Sequence, residues 1–190
     1  HLTDAYAYGA TRFVVENLRG ALHDSADRRR RIALVNAAFF AQTAFDNLSG
    51  GMTFSLGMAM SRRCETPPGL LMGLLLPHCL LLEMNREETP GRELLLAVGG
   101  PEDYADVGAE TRLRKAVDRI VELLLEIQSL IPDFPRSIRD VGLKREDLEE
   151  LPVVVTDVPG RGSFAPSELR YLLAKAWETR FQAMTPPRSI

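Results

Sequence analysis

Three histidines, two cysteines and several clusters of arginine and carboxylate are the groups in this chain that could do chemistry. His1, His23 and His78 are too dispersed to form the i, i+4 helical pair that grips a metal. His78 follows Pro77 in an apolar run, where it could act as a ligand or an acid/base group. A lone histidine on such a face is more often a hydrogen-bonded structural residue. His23 lies in a polar turn, and His1 is terminal. Cys64 adjoins Arg62 and Arg63, whose charge could lower its pKa and make a reactive thiolate. No histidine is near it in sequence, so a passive, partly buried cysteine is the simpler reading. Met52, Met58 and Met60, with Met72 and Met84 nearby, could line a pliable apolar pocket, though gap-filling in a core accounts for them as well. Arg28–Arg31 could face an anionic partner. A solvated face, with Asp24 and Asp27 as compensating charges, is the default. Glu146, Asp147, Glu149 and Glu150 read as the wet side of a short helix.

The scaffold that must position these groups is ordinary in composition. A chain of 190 residues with 45% apolar and 26% charged residues suits a globular domain that buries roughly 70% of its unfolded surface. A net charge of −3 gives no basis for a nucleic-acid partner, whose footprint is a strongly basic face. Cys64 and Cys79 have no paired spacing, which fits a reduced, cytoplasmic setting. No basic start followed by an apolar run marks a signal peptide. The chain begins at His1 rather than Met, as a fragment, a processed product or a trimmed form would. Gly69–Leu82 is the most apolar segment. As a helix it would reach only about 21 Å and it contains Pro77 and His78, so a buried helix is expected and no membrane partner.

Helical periodicity dominates the chain. A first helix is expected from the Thr3-Asp4 cap to about Leu18, with Gly20 and Asp24–Asp27 as a turn. A second follows from Arg28 to about Phe45, and apolar residues around much of its circumference predict a central, largely buried position. Asn47–Gly51 breaks the pattern. Further helices are expected over Met52–Met60 and from Pro67-Pro68 to about Met84, the latter kinked at Pro77. Gly99-Gly100-Pro101 separates Arg92–Val98 from an amphipathic helix over Glu110–Leu130, whose stripe is Leu113, Ala116, Val117, Ile120, Leu123, Leu124 and Ile127. Short helices fit Ile138–Val141 and Arg145–Leu151. Val153–Val155 is too isolated to imply a sheet. Pro159–Pro166 is a loop, and Ser167 caps a last helix through about Phe181. The sum is an all-α bundle of about seven to nine helices, a single helical domain over residues 1–183 with a frayed tail over 184–190. No Gly-rich strand-to-helix turn of the dinucleotide-binding type is present.

Several segments, in this order and spacing, resemble the helical C-terminal domain of the iron-containing (group III) alcohol dehydrogenases, which is also the dehydroquinate synthase-like α-domain. Thr3-Asp4-Ala5, Arg12-Phe13-Val14 and Glu16-Asn17-Leu18 match the opening pattern, and Ala44-Phe45-Asp46-Asn47 matches "AFSN". Gly51 then aligns with the second glycine of "GLGLVHALAHPLGA", and Thr66–Pro77 with "IPHG.ANAILLP". Ile131–Gly142 and Gly162–Glu168 continue the likeness.

The resemblance implies four metal ligands, an Asp and a His on a helix upstream of this sequence and two histidines within it. In this register the latter fall on Phe54 and Pro68, and a further active-site histidine falls on Met58. Phenyl and prolyl rings have no lone pair for iron or zinc. The family would use Fe or Zn and NAD(P). For this chain the expectation is no metal, no cofactor, no catalytic residue, and an apolar cleft at Phe54, Met58 and Pro68. The expected role is therefore non-catalytic, in binding, assembly or regulation, with a nucleotide-binding domain or a homo-oligomer as partner. The alternative is the helical half of an NAD(P)-dependent alcohol/aldehyde oxidoreductase whose nucleotide-binding domain is missing or separately encoded. A weaker option is a small-molecule binding module using the apolar cleft.

Overall fold

A computed structural model of the protein describes residues 2–47, 51–84, 93–155 and 164–184. The Asn47–Gly51 break, the Pro159–Pro166 loop and the tail therefore lie wholly or partly outside the described residues. Those residues form nine α-helices and two 3-10 turns, with no strand among them, in agreement with the all-α expectation. They cluster into two compact units, each built from two separate stretches of chain.

In the first unit, α1 (Leu2–His23) and α2 (Arg28–Phe45) form an antiparallel pair. The ring of Phe40 meets Tyr6 edge-on at 5.3 Å and Phe13 at 5.6 Å. α1 runs past the expected end near Leu18, because Gly20 does not break it. A Cβ at Gly20 would fall 1.5 Å from Arg30 Nη1, so glycine is what lets the Arg30 side chain cross the helix there. Asp27 caps α2, accepting from the Arg30 backbone at 3.1 Å and from Arg30 Nε at 2.9 Å.

The expectation that α2 is largely buried is wrong. Only Ala37 and Ala44 are buried along it. α1 covers one face and leaves the opposite apolar stripe in solvent. The unit is completed by α5 (Leu94–Val98), α6 (Gly100–Asp106) and α7 (Arg112–Leu130). Here α6 replaces the expected break. Gly100, at φ +84°, makes the turn and Pro101 opens the helix. Leu95, Val98 and Ala116 form the core, and Arg119 forks onto Asp103 to tie α7 to α6.

In the second unit, α3 (Met52–Ser61) packs on α4 (Pro68–Glu83), and both are capped by the chain that follows residue 133. That chain contributes the 3-10 turn Ile138–Val141, α8 (Asp147–Val155), α9 (Pro166–Glu178) and a last 3-10 turn, Phe181–Ala183. Two boundaries differ from expectation. The β-branched Val153–Val155 run is the end of α8, which also contains Pro152. Ser167 is not the last helix's cap: Ala165 holds that position, and its N–H donates to Glu168 at 2.7 Å. Leu56, Met60, Leu71, Leu74, Leu75 and Leu173 are almost wholly buried at the centre.

Candidate functional site

Of the residues expected to mark a cleft, Phe54 and Met58 lie on α3 and Pro68 on α4. Met52, Leu56 and Met60 face the core, while Phe54 and Met58 lie one turn apart on the opposite side of α3. Phe54 is 36% exposed and Met58 is half-buried. Pro68 is the first residue of α4, where a missing N–H costs nothing, and it too is half-buried. Gly57 is the α3 residue that meets the start of α4. A Cβ there would lie 2.5 Å from Met72 Cγ and 3.3 Å from the Pro68 carbonyl oxygen. Glycine is thus what allows α3 to approach the start of α4, next to the face that carries Phe54 and Met58.

The connector between the two helices is pinned at three points. The Thr66 hydroxyl donates to the Val141 carbonyl at 3.1 Å. Arg63 Nη1 reaches Asp147 at 3.0 Å and Glu150 at 2.6 Å on α8. The Cys64 thiol donates to the Met60 carbonyl at 3.4 Å. Two readings of single residues change accordingly. Arg63 is engaged by carboxylates rather than poised over the Cys64 sulfur, and Asp147 and Glu150 hold the connector instead of only facing solvent.

His78 sits on α4 with only 6% of its surface exposed, and burial pushes its pKa down to about 4, so the ring is neutral at pH 7. Beside it, burial pushes the Cys79 thiol up to about 12 despite a hydrogen bond with Thr53. Neither group has the character of a nucleophile or a general base. His23 ends α1 in solvent, and His1 is outside the described residues.

Among the described residues no three His, Cys, Asp or Glu side chains converge as a metal would require. The donors at the α3–α4 junction do not suit iron or zinc either. A phenyl ring and a prolyl ring supply no lone pair, and the Met58 thioether is a single soft ligand. A cleft that the sequence reading did not anticipate, of about 210 Å³, lies in the first unit between Val15, Val98, Arg119 and Leu123. Its arginines are already matched by carboxylates, Arg19 by Glu126 and Arg119 by Asp103 and Glu122.

With this geometry in view, comparison with known proteins is specific. Residues 1–166 match the profile described as Fe-containing alcohol dehydrogenase family, C-terminal. The 1,3-propanediol dehydrogenase of Klebsiella pneumoniae is 26% identical over 146 residues, which is 77% of this chain and 36% of that protein. Alcohol dehydrogenase 4 of Saccharomyces cerevisiae is 25% identical over 152 residues, 79% of this chain and 36% of its own length. The chain therefore spans little more than a third of the curated relatives it matches. Among solved structures, a 1,3-propanediol oxidoreductase superposes with a TM-score of 0.76 at 22% identity, covering 92% of this chain and 45% of the other. An alcohol dehydrogenase from Oenococcus oeni gives 0.78 at 20% identity, covering 91% and 44%. The same all-α fold is thus shared with those helical regions, and the chain belongs to the Fe-containing alcohol dehydrogenase family, of which it represents the C-terminal domain.

Proposed function

We propose that this chain is a helical domain of the iron-dependent alcohol dehydrogenase type that has kept its core and lost its metal centre, and that it serves in binding or assembly. The observation that carries this reading is the chemistry at the α3–α4 junction. Phe54 and Pro68 occupy the register where the family resemblance calls for imidazoles, and Met58 takes the place of a third. None of the three can hold iron or zinc in a polar site. Apolar groups there also remove the cost of keeping polar ligands buried and poised, which favours a stable domain. The junction then presents an apolar cleft suited to a small uncharged ligand or to a partner's side chain. Both cysteines are free thiols, which supports a reducing, cytoplasmic location.

The test is elemental analysis of protein expressed with iron and zinc in excess, combined with an aldehyde-reduction assay. Substoichiometric metal and no chelator-sensitive activity are expected. One equivalent of iron or zinc, together with activity that a chelator abolishes, would overturn the proposal. A second reading has one observation in its favour, the small share of its relatives' length that the chain spans. On that reading it is the helical half of an oxidoreductase and works with a nucleotide-binding domain. A nucleotide-binding domain with a Gly-rich phosphate-binding turn, encoded upstream of His1 or as a separate co-purifying chain, would favour it, and the lack of both would count against it.

A further inference from the structure

The cleft between α1, α5 and α7 is walled wholly by the first unit, so it does not depend on the reading of the α3–α4 junction. Val15, Val98, Ile120 and Leu123 give it an apolar floor. Val15 and Ile120 pack in turn on the core of Leu95, Val98 and Ala116. A floor backed by a close-packed core has little room to collapse into the space. The volume of about 210 Å³ exceeds the roughly 150 Å³ of an apolar cavity that accepts benzene. It falls below the roughly 300–1,000 Å³ of sites for drug-sized molecules. A body of about six to eight heavy atoms fits it.

The rim is charged but balanced. Arg19 pairs with Glu126. Arg119 is fixed by Asp103 and Glu122, its Nη2 donating to Asp103 Oδ1 and its Nη1 to Glu122 Oε2, each at 2.8 Å. Asp103 also feels the charge of Lys115, so three cations stand with three carboxylates. A charged ligand of either sign meets no net field to draw it in and would lose hydration against the apolar floor. Hydrogen-bonding capacity remains, however. A guanidinium has five donors, of which these pairs use three on Arg119, and a carboxylate has about four acceptor sites, of which they use one on Glu122.

We propose that this cleft binds a small uncharged amphiphile. Its apolar body of about six carbons rests on Val15, Val98, Ile120 and Leu123, and its neutral head, a hydroxyl or amide that both donates and accepts, bonds the Arg119–Glu122 pair. The three bonds that hold Arg119 mean that this part of the rim needs no further ordering when the ligand arrives. A ligand this small corresponds to a dissociation constant on the order of 1 mM.

NMR titration of the full nitrogen-15-labelled chain with hexanamide tests it, with hexanoate and hexylamine as comparators that carry the same chain and a charged head. Saturable shifts are expected at the backbone amides of Val98, Gly99 and Leu123. Each charged analogue should bind about fivefold more weakly or worse. Leu123→Trp, which fills the cleft, should abolish the shifts, and Glu122→Ala should weaken binding about threefold or more. Circular dichroism of each variant checks that the helices are intact, and the wild-type shift map fixes the location even if Leu123→Trp unfolds. Absence of saturable shifts, or shifts centred on other residues, would overturn the proposal. Unchanged binding by a folded Leu123→Trp would overturn the site, and equal binding of hexanoate or hexylamine would overturn the neutral head.

Discussion

His78 is a buried titratable group of the second unit whose proton affinity changes on folding within the mildly acidic range. Burial lowers its pKa to about 4, whereas in the unfolded chain it titrates near 6.5. Between those values the unfolded state takes up a proton that the folded state refuses. The His78 contribution is therefore fully present above pH 6.5 and is lost as the pH falls toward 4. Its slope approaches about 1.4 kcal/mol per pH unit and its total is about 3 kcal/mol. Asp103, held below its ordinary value by the Arg119 hydrogen bond, and Asp147, held down by the Lys144 amide, act only below about pH 4. Urea unfolding across pH 4–7 should consequently be steep for the wild type and much flatter for His78→Gln. Equal slopes would remove His78 from the account. Phe54 and Pro68 allow a second test at this scale, of whether they share a cleft. Returning imidazoles as Phe54→His with Pro68→His should let zinc raise the melting temperature by a few degrees, while either single change should not. A double variant blind to zinc would mean that the two side chains diverge.

At the scale of elements, Gly57 decides how closely α3 and α4 pack. A Cβ there would press on Met72 Cγ, a mid-chain atom with little freedom to withdraw, so the contact cannot be relieved cheaply. Gly57→Leu should destabilise the protein by about 1–3 kcal/mol, although leucine is the better helix former, and chemical denaturation would read the loss directly. A neutral outcome would mean that the two helices can separate without penalty. The same glycine illustrates what the sequence could and could not convey. The stripe from Leu113 to Ile127 was legible because one buried face repeats at helical spacing, and α7 follows it almost to the residue. Gly57, Gly20 and Gly100 were opaque, since a glycine's meaning depends on what crosses it: a neighbouring helix, the Arg30 side chain, or a left-handed turn. Hence α1 continues through Gly20 to His23, and α6 forms where Gly99-Gly100-Pro101 suggests only a break. α2 failed for another reason. Apolar residues on every side predict burial only if something covers every side, and α1 covers just one. For the candidate site the sequence conveyed residue types and helix positions but not proximity, because whether Phe54, Met58 and Pro68 share a cleft depends on how α3 approaches α4, which no spacing within one helix encodes.

For the whole molecule, the order of elements matters more than their number. α2 packs on α1, α1 finds its further partners in α5 and α7, beyond residue 93, and α3 and α4 find theirs in α8 and α9, beyond residue 133. Each unit is thus closed by long-range contacts between two stretches of chain, with one stretch of the other unit interposed in the sequence. A cut between α4 and α5 would leave residues 1–84 with two helical hairpins and none of the helices that cover them. Val15 would lose the core built on Leu95 and Ala116, and Leu71 and Leu75 would lose the helix that carries Leu173. Helical hairpins with so much uncovered apolar surface are marginal in water, because most helix stability comes from the packed face. Residues 1–84 and 93–190 should therefore each show weak, non-cooperative helicity alone. When mixed they should regain a cooperative thermal transition, since each fragment holds half of both cores. Circular dichroism of the fragments and of their mixture reads the outcome. If residues 1–84 melted cooperatively on their own, the two discontinuous cores would not be what holds this fold together.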